Sequence, residues 1–354
     1  MLERVLLPAT DLEVSRLSFG AGTAAGLMIW GDHHDQVATV ERAFEHGINH
    51  FDTSSFYGRG ASEVNLGRVL KAIGEEHILT TKVHLAPLHL SVPGALTRAF
   101  VKSVEESLVR LQRDNLDIVL LHNATHFGRD LHDPVMPHLS LDDVVGDADS
   151  AWLAAERLRE QGKVRYFGVS GQDNDPSAVR ALIGSGRITT FNQPYNLLNP
   201  TAGLPRGVAR DILGPEFTEQ NSFMDFTGTI DFAGQHSVGV SVISPVAAGV
   251  LTWRAQEGRP VPAHSGRARR FLGAGQFERE LGVAGHFRSV AKDHGMNLTE
   301  LAYRFTITRP EVQTVVGGFS DIAQLDEAAA ALQRGPLPPD VLTALKIVWA
   351  KEGQ

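Results

Sequence analysis

The stretch HFDTSSFYGRGASEVNLGRVLKAIGEEHILTTKV (50–83) decides the fold. It opens on a short apolar run, closes on a second, HILTTKV (77–83), and holds a helix-length amphipathic stretch between them. Two strands joined by a crossover of that length pair in parallel. The downstream end of each run carries groups that an apolar strand does not need: Asp52 and Tyr57 after the first, Lys82 at the second. A third run, DIVLLHN (117–123), reaches His122 in the same way.

Working outward, runs rich in Val, Ile, Phe and Thr recur near 16–20, 50–54, 77–83, 117–122, 164–170, 189–194, 239–245 and 314–319. Helical patterns such as QVATVERAFEHG (36–47), LTRAFVKSVEESLVRLQ (96–112) and SAWLAAERLREQ (150–161) lie between them, the first ending at a capping Gly47. Eight strand–helix units predict an α/β fold, a (β/α)8 TIM barrel, as one domain over 1–354. Upstream, ERVLLPATDLEVSRL (3–17) predicts a hairpin turning at Pro8–Asp11 that caps the barrel bottom. Long connections at about 123–149, 196–221 and 246–276 follow strands, so they are expected to rise over the catalytic face, and a last helix near 338–350 ends the fold.

Bulk composition narrows the classes. A chain with 42% hydrophobic and 21% charged residues is that of an ordinary globular protein. The net charge of −8 comes without a basic stripe, so no nucleic-acid partner is expected. With no cysteine, disulfides, thiolate metal sites and cysteine nucleophiles are excluded. No apolar run has signal-peptide or membrane-spanning length, so a cytoplasmic protein with no membrane partner is expected.

On one barrel face, Asp52, Tyr57, Lys82 and His122 suit proton transfer to a carbonyl oxygen. A free tyrosine, with a pKa of about 10, is a poor proton shuttle near neutrality. A neighbouring Lys82 ammonium is expected to lower that pKa, with Asp52 holding the lysine charged and His122 donating a hydrogen bond to the carbonyl oxygen. No side chain supplies hydride, so a nicotinamide cofactor is implied. Metal catalysis is set aside: His126, His132 and His138 follow His122 without ligand-like periodicity, so no metal is expected.

The segments FDTSSFYGRGASEVNLGRVL (51–70), TTKV (80–83) and DIVLLHN (117–123) resemble the aldo-keto reductase superfamily. The likeness extends from LSFGAG (17–22) through VRYFGVSG (164–171), FNQPYNLLN (191–199) and VISPVAAGVL (242–251) to VVGGFSDIAQLDEA (315–328). FDTSSFYG and PYNLLN are closest to the bacterial branch that includes aldose and lactol dehydrogenases. The resemblance implies a barrel binding NADP(H) or NAD(H), with Tyr57 as general acid/base beside Asp52, Lys82 and His122. It places Ser170 and Gln193 at the nicotinamide carboxamide, where serine plus glutamine supply donor and acceptor. It sets Ser244, Pro245, Val246 and Gly249 along the pyrophosphate, and Gly22, Thr23, Asp52, Gly318, Ser320, Gln324 and Glu327 around the rest of the cofactor. Gly317, Gly318 and Ser320 precede a helix opening near Asp321, whose amides suit an adenosine-side phosphate; Ser320 equally suits an N-cap.

Four positions depart from the family pattern: Gly171 for an asparagine, Ile243 for a stacking aromatic, Gln324 for an arginine and Ala328 for an adenine-contacting asparagine. Losing the arginine weakens a 2′-phosphate site, although Arg267, Arg269 and Arg270 are candidates to supply the charge; NADP(H) is slightly favoured over NAD(H). Trp30, Phe56, His84, Asn123, Phe127 and Trp253 are the expected substrate pocket, suited to a small carbonyl or sugar-like molecule. Reversible carbonyl/alcohol oxidoreduction is the leading expectation. Oxidation of an aldose- or pyridoxal-type lactol to a lactone is the enzymatic alternative, and a non-catalytic, cofactor-sensing regulatory subunit is the alternative from another class.

Overall fold

The hairpin comes first. Leu7, Leu12 and Val14 are apolar residues at a turn and on a short strand, and their burial needs a partner surface that the hairpin itself lacks. The computed structural model describes residues 1–90, 92–133, 135, 137–171, 174–205, 213, 225–266 and 275–351. In it β1 (Arg4–Leu6) and β2 (Glu13–Ser15) pair antiparallel and close the lower mouth of a barrel.

The barrel strands are β3 (Leu17–Gly20), β4 (His50–Asp52), β5 (Ile78–Val83) and β6 (Leu116–Leu121). Two loop strands follow, β7 (Thr125–His126) and β8 (Leu139–Ser140), then β9 (Val164–Ser170), β10 (Thr190–Pro194), β11 (Gly239–Ile243) and β12 (Val312–Gly318). Strands β3-β4-β5-β6-β9-β10-β11-β12 close in that order, all neighbours parallel. This is the expected (β/α)8 architecture. The expected helices are present as His33–Glu45, Ala95–Leu111, Ala151–Glu160 and Pro339–Lys351. Gly47, with φ 87°, follows the first of them.

Strand alternation sorts the side chains. Phe51, Leu79, Val83, Val119, Leu121, Val169 and Phe191 belong to the large core that also takes in the helices. A separate cluster joins Leu7, Leu12 and Val14 to Ile78, Ile118 and Leu120 at the barrel bottom. Leu7 reaches so far in that a Cβ on Gly239 would lie 2.4 Å from its Cδ1, so any larger residue there would push Leu7 aside.

Above this plug lies a buried polar chain. Thr314 Oγ1 donates to Ser15 O (2.7 Å), so it accepts from Ser18 Oγ (2.6 Å). Ser18 Oγ, its proton used, accepts from His50 Nδ1 (2.6 Å), and His50 Nε2 accepts from Thr80 Oγ1 (2.8 Å). The bonds run one way and fix the His50 tautomer. Burial holds the His50 pKa at about 4, so the ring is neutral.

Candidate active site

The upper mouth begins where β4 ends. The chain turns at once: Tyr57 N donates to Ser54 O (3.1 Å), and Gly58, Arg59 and Gly60 follow with φ of 59°, 54° and 90°. Gly58 has no alternative, because a Cβ there would sit 2.4 Å from Ile29 Cγ2. This turn directs Tyr57 back over the barrel. Two residues on from His50 along the same strand face, Asp52 accepts a short hydrogen bond from Lys82, whose Nζ also donates to Thr53 O (2.8 Å). Lys82 Nζ lies 5.0 Å from the centre of the Tyr57 ring. The His122 ring stands edge-on to Tyr57 at 5.5 Å, and its Nδ1 is 2.9 Å from Ser54 Oγ. The four residues expected from the sequence are therefore together, with Gly22 backing the Tyr57 ring at 3.7 Å from an ideal Cβ.

The electrostatics correct one expectation. Burial raises the Tyr57 pKa, and Lys82, which pulls it down, does not reverse the direction. The phenol is thus held protonated. Burial pulls Lys82 down, but Asp52 and Tyr57 outweigh it and leave the lysine raised and charged. Burial, then Lys82, hold His122 well below the ordinary imidazole value, so it is neutral. Asp52 keeps one buried oxygen, Oδ2, without a hydrogen-bond partner.

Beside this group runs a cleft enclosing about 870 Å³, its open mouth included. Val246, Gly249, Gly318, Ser320, Gln324 and Glu327, six of the anticipated cofactor residues, line it. Ala24 and Ala25 line it too, so the segment from Gly22 to Ala25 leads from the Tyr57 ring to the cleft wall. Thr23, on this segment, is exposed. The loop after β11 has a strained backbone, with Ser244, Ala247, Ala248 and Gly249 at φ of 56°, 45°, 53° and 96°, while Pro245 is buried. Arg254 Nε is buried with no hydrogen-bond partner, 3.8 Å from Glu327 Oε2. Cleft size, a strained loop and a cation with one buried, unused N–H fit the nucleotide half of a dinucleotide. Arg267, Arg269 and Arg270 lie outside the described residues.

Several expectations change in detail. The N-cap of helix Ile322–Gln333 is Asp321, not Ser320, whose hydroxyl donates to Ala25 O (2.8 Å). Gln324 folds back on this cap, accepting from Ser320 N (2.9 Å). Gln193 has both amide atoms engaged: Oε1 accepts from Thr229 Oγ1 (3.0 Å) and Nε2 donates to Pro194 O (2.9 Å). Its neighbour Asn192 is the residue in register with Ser170, and Asn192 Nδ2 is buried without a partner. A side chain on Gly171 has no room, since a Cβ would lie 2.3 Å from Asn192 O. Sequence reasoning missed Ser54, Asn192 and Arg254; only the two serines of DTSSFYG, between the acid and the phenol, offered a signal.

At the rim, Trp30, Phe56 and Phe127 are exposed, and the Phe56 ring lies tilted against His84 (4.8 Å) and edge-on to His122 (5.9 Å). His84 Nδ1 is buried without a partner. Asn123 does not serve a pocket: its amide ties Leu85 N and O and Pro137 O at 2.8, 2.8 and 3.2 Å and is fully used. Trp253 sits on the cofactor side, against Arg254 (5.1 Å) and beside Glu327. The rings of His126 and His138 stack at 4.1 Å. Among the described residues no three His, Asp or Glu side chains group as metal ligands do, and no helix is long and apolar enough to cross a membrane.

The chain matches the Aldo/keto reductase family over residues 16–350. It is 30% identical over 340 residues to L-galactose dehydrogenase of Arabidopsis thaliana, covering 94% of this chain and 88% of that protein. A putative voltage-gated potassium channel subunit beta of Schizosaccharomyces pombe is 26% identical over 348 residues, covering 95% and 90%. In fold the chain is like the holo form of aldo-keto reductase AKR11C1 from Bacillus halodurans, with TM-score 0.69 and 23% identity over 99% of this chain and 97% of that one. With nearly its whole length matched, the chain belongs to the aldo/keto reductase family and is an oxidoreductase of that nicotinamide-dependent, carbonyl-reducing kind.

Proposed function

We propose that this enzyme interconverts a carbonyl or lactol carbon and its reduced or oxidised partner on a small hydroxylated, sugar-like molecule, with Tyr57 as the general acid/base. The observation that carries this is the placement of a protonated, half-buried phenol over a charged Lys82 and beside a neutral His122. The nicotinamide cofactor supplies or accepts the hydride. Tyr57 gives its proton to the carbonyl oxygen in reduction and takes it back in oxidation. Lys82 stabilises the phenolate left behind, Asp52 holds Lys82, and His122 Nε2 orients the oxygen.

Substrate class follows from the rim. Exposed aromatic faces at Trp30, Phe56 and Phe127 suit the C–H face of a sugar ring, and His84 Nδ1 offers an acceptor to a neighbouring hydroxyl. The relative named for L-galactose supports the same class, in the oxidative direction. For the cofactor, Val246, Gly249, Gly318, Ser320, Gln324 and Glu327 are the proposed holding residues, with Ser170 at the nicotinamide end. Among the described lining residues Arg254 is the one cation, and it lies 3.8 Å from Glu327.

Titration with NADH and NADPH by fluorescence, followed by assay of aldoses and pyridoxal-type hemiacetals, tests the reading. Binding of either cofactor with turnover of an aldose is expected. Tight cofactor binding with no turnover of any carbonyl or lactol would instead favour a cofactor-sensing subunit, as the potassium-channel-subunit relative suggests.

A further inference from the structure

His122 is neutral, and a neutral imidazole carries one N–H. It donates to a carbonyl oxygen at the open mouth only if that proton is on Nε2, which has no partner among the described residues. Something has to choose between the two ring nitrogens, because in water they differ little.

Ser54 makes the choice. Its side chain is fully buried, 0% exposed, and its hydroxyl oxygen has two contacts: Phe56 N donates to it (3.1 Å), and His122 Nδ1 lies 2.9 Å away. The first contact uses the oxygen as an acceptor. The hydroxyl proton then has one acceptor in reach, the Nδ1 lone pair. If Nδ1 carried the imidazole proton instead, the buried Ser54 O–H would face an N–H and have no acceptor, an arrangement that folded proteins avoid. Ser54 donating to Nδ1 therefore puts the proton on Nε2. The serine is itself fixed by the turn that presents the phenol, through Tyr57 N to Ser54 O (3.1 Å).

We propose that Ser54 is a positioning residue that sets the His122 tautomer, so that one five-residue turn, Asp52 to Tyr57 less its first residue, delivers both the acid and the orientation of the second donor. The inference rests on the reading of His122 as the donor to the substrate oxygen. Its chemical content is specific: a hydroxyl at position 54, and not merely a side chain of that size, is required.

The test reads the tautomer directly. In the cofactor-free protein with 15N-labelled histidine, at neutral pH, His122 is expected to show the Nε2–H pattern. Ser54→Ala should move it towards Nδ1–H, and Ser54→Thr, which keeps the hydroxyl, should restore it. Turnover of the best aldose substrate should fall about 10–100-fold in Ser54→Ala, as when a partner that fixes a functional histidine's tautomer is lost, with NADH affinity unchanged. An unchanged Nε2–H pattern in Ser54→Ala overturns the proposal. A tautomer that shifts while turnover holds supports the role of Ser54 and overturns that of His122, so the two failures are distinguishable.

Discussion

The two mouths of the barrel are built from the same eight strands and differ in almost every physical respect. The lower is closed by Leu7, Leu12 and Val14 packed on Ile78, Ile118 and Leu120, with Leu7 pressed against Gly239. The upper holds a buried ion pair, an unpartnered carboxylate oxygen, a neutral imidazole and a strained turn. Burying charge and strain costs stability, and burying leucine supplies it, so separation lets each end do one thing. The polar chain from Thr80 through His50 and Ser18 to Thr314 is the boundary between them.

The largest expected effect is at the upper mouth alone. Tyr57→Phe should lower kcat by about 10²–10⁴-fold while cofactor binding and thermal stability hold; kcat near wild type would end the general-acid assignment. Lys82→Ala should blur the division, because it removes the cation that stabilises the phenolate and also leaves Asp52 buried without its partner. A loss of about 3–5 kcal/mol in denaturant unfolding is expected along with the activity.

At the other end, Leu7→Ala should cost about 2–5 kcal/mol of unfolding free energy, with kcat per folded molecule unchanged. A changed kcat would show that the plug and the chemistry are coupled. The effect at the boundary shows only as a dependence on pH. His50 titrates at about 4 when folded and near its ordinary 6.5 when unfolded. Between those values the unfolded chain binds the extra proton, so the contribution of His50 is complete above pH 6.5 and is lost as pH falls towards 4. Comparison of wild type with His50→Asn in unfolding titrations should show a difference of roughly 3 kcal/mol in pH dependence across that window. For Tyr57 the direction is opposite in consequence: its raised pKa keeps the phenol protonated through neutrality and beyond the ordinary tyrosine range, so reduction should hold its rate through neutral and mildly alkaline pH, and oxidation should rise only in stronger alkali.

The barrel was legible because it is periodic. Apolar runs of five to seven residues alternating with amphipathic helices leave few other architectures, and the strand limits shifted by only a residue or two. The early ends are those of β4 and β11, which stop at Asp52 and Ile243 instead of running on to 54 and 245, since the turns that follow take left-handed backbone at Gly58 and Ser244. The tetrad was legible for a related reason: a lysine or an aspartate at the end of a buried strand needs a partner, and parallel strands bring their downstream ends to one face. Asn123 misled because an amide reads the same whether it is offered to a ligand or spent on the backbone.

By itself the sequence determined that eight parallel strands close into a barrel, that a hairpin plugs its base, and that a phenol, an amine, a carboxylate and an imidazole share one rim. Those are consequences of hydrophobic period and strand direction, which are local. Tertiary structure alone decided that burial outweighs Lys82 at Tyr57, that Asp321 and not Ser320 caps the last barrel helix, that Asn192 and not Gln193 keeps a free amide, and that Ser54 meets His122. Each of these turns on how many neighbours a polar atom has, and hydrogen bonds and desolvation are summed over distant segments before they have a sign.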